Sequence, residues 1–144
     1  MASHPTSLNW VRILVAVVGG YLASFAFLFC VISIFASLLA FQARGAPDQA
    51  QIDAFANQHS SWMGSLALFV AAVVAAVWAT RRLQPGAAQQ HGLIIGCGLG
   101  LLAVLSAVIF GGFDLVDLLV AVLTAGAGWA GALLGQRFPG RKGA

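Results

Sequence analysis

Residues 13–41 read ILVAVVGGYLASFAFLFCVISIFASLLAF, 29 positions without a single charge. A helix crossing the ~30 Å hydrocarbon core of a bilayer needs roughly 20 apolar residues at 1.5 Å each. This run exceeds that requirement. It is also too long for the apolar region of a cleavable signal peptide, roughly 7–15 residues, and no Ala-x-Ala site follows it. Working outward, three more such runs occupy residues 62–79, 92–112 and 115–135. None alternates polar and apolar positions as a barrel strand must, and a spanning backbone has to satisfy its own hydrogen bonds, so each run predicts a helix. The expectation is an all-α membrane protein. One domain over residues 1–144 would hold four transmembrane helices in an antiparallel bundle, with an external loop 42–61 and a cytoplasmic loop 80–91.

Composition agrees. Of 144 residues, 60% are hydrophobic and a further 17 are Gly, about seven in ten together, while 8% are charged; soluble domains have roughly 45–50% (Gly included) and 25%. The mean hydropathy of +0.94 leaves too few polar groups to cover a water-soluble globule. A soluble enzyme and a disordered chain are thereby excluded. A net charge of +3 is too sparse for a phosphate-binding surface, so nucleic acid is not an expected partner.

Charge placement predicts orientation. Arg12, Arg81, Arg82, Arg137, Arg141 and Lys142 fall on one side of a four-span chain; Arg44 stands opposite with Asp48, Asp53, Asp114 and Asp117. Lys and Arg are retained on the cytoplasmic side, which places both termini there. At helical rise the first run is about 43 Å long, so its end near Ser37–Phe41 should project beyond the membrane, or the helix should bend at Gly19-Gly20. In the external loop, Pro47 can open a short helix whose Ile52, Phe55 and Ala56 share a face, lying on the membrane surface or capping the bundle. Pro85-Gly86 marks a turn within loop 80–91. Gly111-Gly112-Phe113 leaves room only for a tight hairpin between the last two spans.

Lipid is as apolar as leucine, so helices in a bilayer associate through close approach at small residues. Gly92, Gly96 and Gly100 form one such stripe, and Ala67, Ala71 and Ala75, continuing to Ala79, form a second. Gly131 and Gly135 extend the pattern on the fourth span, and Ala16, Gly20 and Ser24 on the first. These positions are the expected helix-packing sites.

Reactive chemistry is scarce. The span cores carry no ionisable group, and the chain has no Glu, which an antiporter resembling the small multidrug-resistance family would need. Asp114 and Asp117, three apart on a helix, are a candidate outer cation site, weighed against a capping box that would serve the first free N–H groups. Cys30 and Cys97 lie roughly 27 Å and 9 Å from the cytoplasmic edge, too different in depth for a disulfide. No Cys-x-x-Cys of the kind found in proteins resembling vitamin K epoxide reductase is present. His4, His59 and His91 sit outside or at the edge of the spans, read as interfacial, with no arrangement for haem or a metal. Trp10, Trp62, Trp78 and Trp129 read as interface anchors. No cofactor and no catalytic residue is expected.

Four Ala/Gly/Leu/Val spans, a basic tail and the turn GGFDLVDLL resemble the many small four-span bacterial membrane proteins. The likeness implies this architecture and a bacterial cytoplasmic membrane, and carries no functional residue across. The expected role is a non-enzymatic accessory or structural subunit, associating with itself or with a larger membrane complex. The alternative is a homo-oligomeric channel or transporter for a small solute, with Asp114 and Asp117 at its outer mouth.

Overall fold

The computed structural model describes residues 8–110 and 112–137, so His4, Gly111 and the tail bases Arg141 and Lys142 lie outside the described residues. Within them are four helices and no strand: α1 (Trp10–Ala43), α2 (Gln49–Thr80), α3 (Pro85–Phe110) and α4 (Leu115–Arg137). Each is long and apolar enough to cross a membrane.

The helices run past the apolar runs that predict them. α1 continues unbroken for 34 residues through Gly19-Gly20. It ends at Arg44, whose φ of 53° is left-handed and whose N–H donates back to the Ala40 and Phe41 carbonyls. The predicted separate helix after Pro47 is instead the opening of α2. Asp48 caps it by accepting from the Ala50 N–H at 3.0 Å, and the helix then runs 32 residues without interruption. Its apolar face packs against α1. Phe55 stacks on Phe35 of α1 at 3.9 Å between ring centroids, and His59 stacks on Phe55 at 4.4 Å. The connection between α1 and α2, expected over residues 42–61, therefore spans only 44–48. Loop 80–91 likewise shrinks to 81–84, because Pro85 is already the first residue of α3; proline's fixed φ and missing N–H suit that first position.

α2 and α3 touch along the short diagonal of a diamond, with α1 and α4 at the far corners. α4 contacts α2 and α3 and not α1. The buried residues are mostly small: Ala72, Ala76, Ala79, Ala88 and Ala132 are fully inaccessible, with Ile95 and Leu99 the largest buried apolar side chains. Large apolar residues point outward, Phe29, Ile34, Phe110 and Leu115 among them. Small inside and large outside is what a bilayer permits, since the solvent there accepts leucine and only close backbone approach distinguishes the interior.

Candidate functional site

The glycines decide which helices meet. A Cβ on Gly96 would lie 2.6 Å from the Thr124 carbonyl oxygen and 2.8 Å from the Ala125 Cα. One on Gly100 would lie 2.8 Å from the Ala121 carbonyl, and one on Gly92 would collide with Ala132 and Gly128. So Gly92, Gly96 and Gly100 all face α4. Their counterpart is Gly128, where an added Cβ would meet the Gly92 carbonyl and the Gly96 backbone. The sequence reading missed Gly128. It belongs to a second small-residue line on α4, Ala121–Ala125–Gly128–Ala132. Gly131 and Gly135 face α2, where an added Cβ would lie 2.6 Å from the Val73 carbonyl oxygen and 2.7 Å from Thr80 Oγ1 respectively.

On α2 the deeply buried small residues are Ala72, Ala76 and Ala79. Ala67, Ala71 and Ala75 stand one position away and border two grooves shared with α1. Gly98 of α3 presses on Val17 of α1, a contact outside the predicted stripe.

One end of the bundle gathers Arg12, Arg81, Arg82 and Arg137. Arg12 donates to the Trp78 carbonyl at 3.2 Å, and its guanidinium sits 5.3 Å from the Trp78 ring centroid. Gln136 donates to the Pro85 carbonyl at 3.1 Å. Between these contacts lies His91, which is not interfacial but 1% exposed. Its Nε2 accepts the Asn9 backbone N–H at 3.2 Å, so the ring proton belongs on Nδ1, 2.7 Å from the Ala87 carbonyl. The imidazole thus ties the start of α1 to α3. The chain offered a signal for this: His91 stands four and eight positions before Ile95 and Leu99, on the α3 face buried against α1 and α2.

At the other end, Asp114 and Asp117 form a reciprocal capping box. Asp114 Oδ1 accepts the Val116 and Asp117 N–H groups at 2.8 and 3.1 Å, and Asp117 Oδ2 accepts the Asp114 N–H at 2.9 Å. Both carboxylates are engaged in opening α4. Beside them is a cavity of about 420 Å³ bordered by all four helices. Its polar lining is Asp117 with the hydroxyls of Tyr21, Ser24, Ser60, Ser61, Ser65 and Ser106. Leu68 lines its inner part and is buried in one cluster with Leu99 and Ile95, which closes the bundle below it. The other grooves are lined almost wholly by apolar side chains.

Cys30 and Cys97 are free and exposed. Among the described residues, no three His, Cys, Asp or Glu side chains converge on a point where a metal would sit. Comparison with protein families, curated proteins and solved structures finds nothing that matches this chain.

Proposed function

We propose that the chain is a small, non-enzymatic integral membrane subunit that works by associating with itself or with a larger membrane complex. Its four helices form an antiparallel bundle in a bacterial cytoplasmic membrane, with both termini in the cytoplasm. Opposed numbering across the α3–α4 seam supports the antiparallel arrangement, since Gly92 meets Ala132 while Gly100 meets Ala121. The clustering of Arg12, Arg81 and Arg137 at one end supports the orientation.

One observation carries the associative role. Counting the roughly 20 residues of a span from that basic end reaches Ile32 on α1, Ser61 on α2, Phe110 on α3 and Asp117 on α4. Three of these, Ser61, Phe110 and Asp117, line the cavity. Beyond that level, α1 and α2 continue as a hairpin for about 16 Å. Its α2 arm turns Gln49, Gln51, Asp53, Asn57 and Gln58 outward. Its α1 arm instead exposes Ile34, Leu38 and Phe41, at 61%, 57% and 85%. Spaced by four and three, these side chains share one face. Above the hydrocarbon such a face calls for a protein neighbour. The small-residue stripes of α3 and α4 are consumed inside the bundle, so association falls to α1, whose Gly19 also borders open space. The channel reading has less support, because the cavity ends at Leu68 and the span cores hold no ionisable group to couple or conduct.

The test is native-state sizing of protein extracted in mild detergent, wild type against the double variant Leu38→Gln/Phe41→Gln. Wild type should run as an oligomer or with a stoichiometric membrane partner, and the variant should fall to a monomer of unchanged helix content. A wild-type monomer with no copurifying protein contradicts the proposal.

A further inference from the structure

The cavity at the end of the bundle opposite His91 has a chemistry that assembly does not use. Every hydroxyl proton with a partner there points away from the cavity, into a backbone carbonyl. Ser24 donates to the Tyr21 carbonyl at 2.7 Å, Ser65 to Ser61 at 2.9 Å, Ser106 to Ala103 at 2.7 Å and Tyr21 to Leu102 at 3.4 Å. What these groups leave free is oxygen lone pairs. Ser24 is the deepest, only 7% exposed, and no donor among the described residues reaches its oxygen.

Charge points the same way. Among the described residues, Asp117 is the only charged one on the lining, and no Lys, Arg or His borders the cavity. Its Oδ2 is held by the Asp114 N–H, which fixes the carboxylate and leaves Oδ1 without a partner among the described residues. The walls between these acceptors are aromatic and aliphatic. Tyr21 and Phe25 meet edge to face at 5.0 Å, and Phe110 lies at the rim. Aromatic faces attract cations and do not satisfy anions. A bare metal ion is poorly served by one carboxylate and hydroxyls on apolar walls, whereas a cation carrying its own carbon matches both parts of the lining.

We propose that this cavity binds a small substituted ammonium group, held by the Asp117 carboxylate and by the lone pairs of Ser24, Ser65 and Ser106. The inference is independent of the associative role. A volume of about 420 Å³ lies within the ordinary range of small-ligand pockets. Because α1 and α4 do not touch, the site is flanked by a gap between helices at the height of outer-leaflet headgroups. The ammonium can therefore belong to an amine-bearing lipid or to a free amine, and the chemistry of recognition is the same.

The experiment is calorimetric titration of the full chain in nanodiscs of phosphatidylglycerol alone, with tetramethylammonium, ethanolamine and acetate as probes. Wild type should bind one of the two ammonium probes saturably and acetate not at all. Asp117→Asn keeps the cap acceptor and removes the charge, and should weaken binding by about tenfold or more, the scale of a charge-assisted hydrogen bond. Asp114→Asn removes a charge from the same helix end but not from the cavity, and should leave affinity within about twofold. Gly64→Leu, which fills the cavity, should abolish binding while circular dichroism and the thermal midpoint report that the bundle is intact. Native mass spectrometry of protein from phosphatidylethanolamine membranes then assigns the source. Lipid retained by wild type and lost in Asp117→Asn marks a headgroup site, and free-amine binding without retained lipid marks a soluble ligand. No binding of either ammonium probe, equal losses in the two Asn variants, or comparable binding of acetate would overturn the proposal.

Discussion

Gly96→Ala is the sharpest perturbation of the bundle. The new methyl carbon would sit 2.6 Å from the Thr124 carbonyl oxygen and 2.8 Å from the Ala125 Cα. Ordinary contact begins near 3.4 Å, so α3 and α4 must separate locally by about 0.8 Å. Neither obstacle is a flexible side-chain tip; both are backbone, and the helix moves as a unit. A gap of roughly 0.5–1 Å forfeits a quarter to a half of the dispersion energy of each contact it opens. The neighbouring contacts at Gly92, Gly100 and Gly128 open with it. The expected cost is about 1–3 kcal/mol, the range for overpacking a close-fitted interior. Gly126→Ala is the control, since it lies on the same seam helix with nothing within 4 Å, and should be neutral or slightly stabilising. Reversible SDS unfolding in bicelles, followed by near-ultraviolet circular dichroism, reads both variants. If Gly96→Ala and Gly126→Ala have the same midpoint, close backbone approach is not what holds α3 to α4.

Three further outcomes follow from local geometry. Arg44→Gly relieves a left-handed non-glycine residue at the α1 C-cap and should stabilise the α1–α2 hairpin by about 1 kcal/mol, read as slower hydrogen exchange near Phe41. His91→Ala removes the acceptor of the Asn9 N–H and opens a void, at a cost of about 2–4 kcal/mol; faster exchange at Trp10–Ile13 should accompany the lower midpoint. Asp114→Ala loses two accepted N–H groups and should cost about 1 kcal/mol, while Asp114→Asn retains most of it. Equal midpoints for those two variants would argue that the capping box is idle.

How much of this was legible in the sequence differs from place to place. The four apolar runs could be read directly, because a span length and the absence of charge leave few alternatives. The helix ends could not. Residues 49–61 are polar enough to suggest a loop, yet Asp48 caps them and Phe55 finds Phe35 on α1, a partner fixed only by the tertiary structure. Pro85-Gly86 has the composition of a turn but the stereochemistry of a helix start. Small-residue stripes show that helices approach closely and not which ones. α4 carries two such lines, toward α3 through Gly128 and toward α2 through Gly131 and Gly135. Likewise α2 is so rich in alanine that the lines through Ala71 and Ala72 are equivalent until α4 is placed against one of them. The cavity was the least visible feature. Its hydroxyls come from three helices at unrelated sequence positions, and they converge only because α1 and α4 stay apart.

Cysteine accessibility in intact cells tests the transmembrane bundle most directly. With Cys30 and Cys97 replaced by alanine, single cysteines are introduced at Gln51, on the projecting hairpin, and at Gln84, in the short α2–α3 turn, in protein expressed in a bacterial cytoplasmic membrane. A membrane-impermeant maleimide should label Gln51→Cys in intact cells and Gln84→Cys only after lysis. Labelling of Gln84→Cys from outside, or equal labelling of both positions before lysis, would contradict a chain that crosses the bilayer four times with its arginines inside.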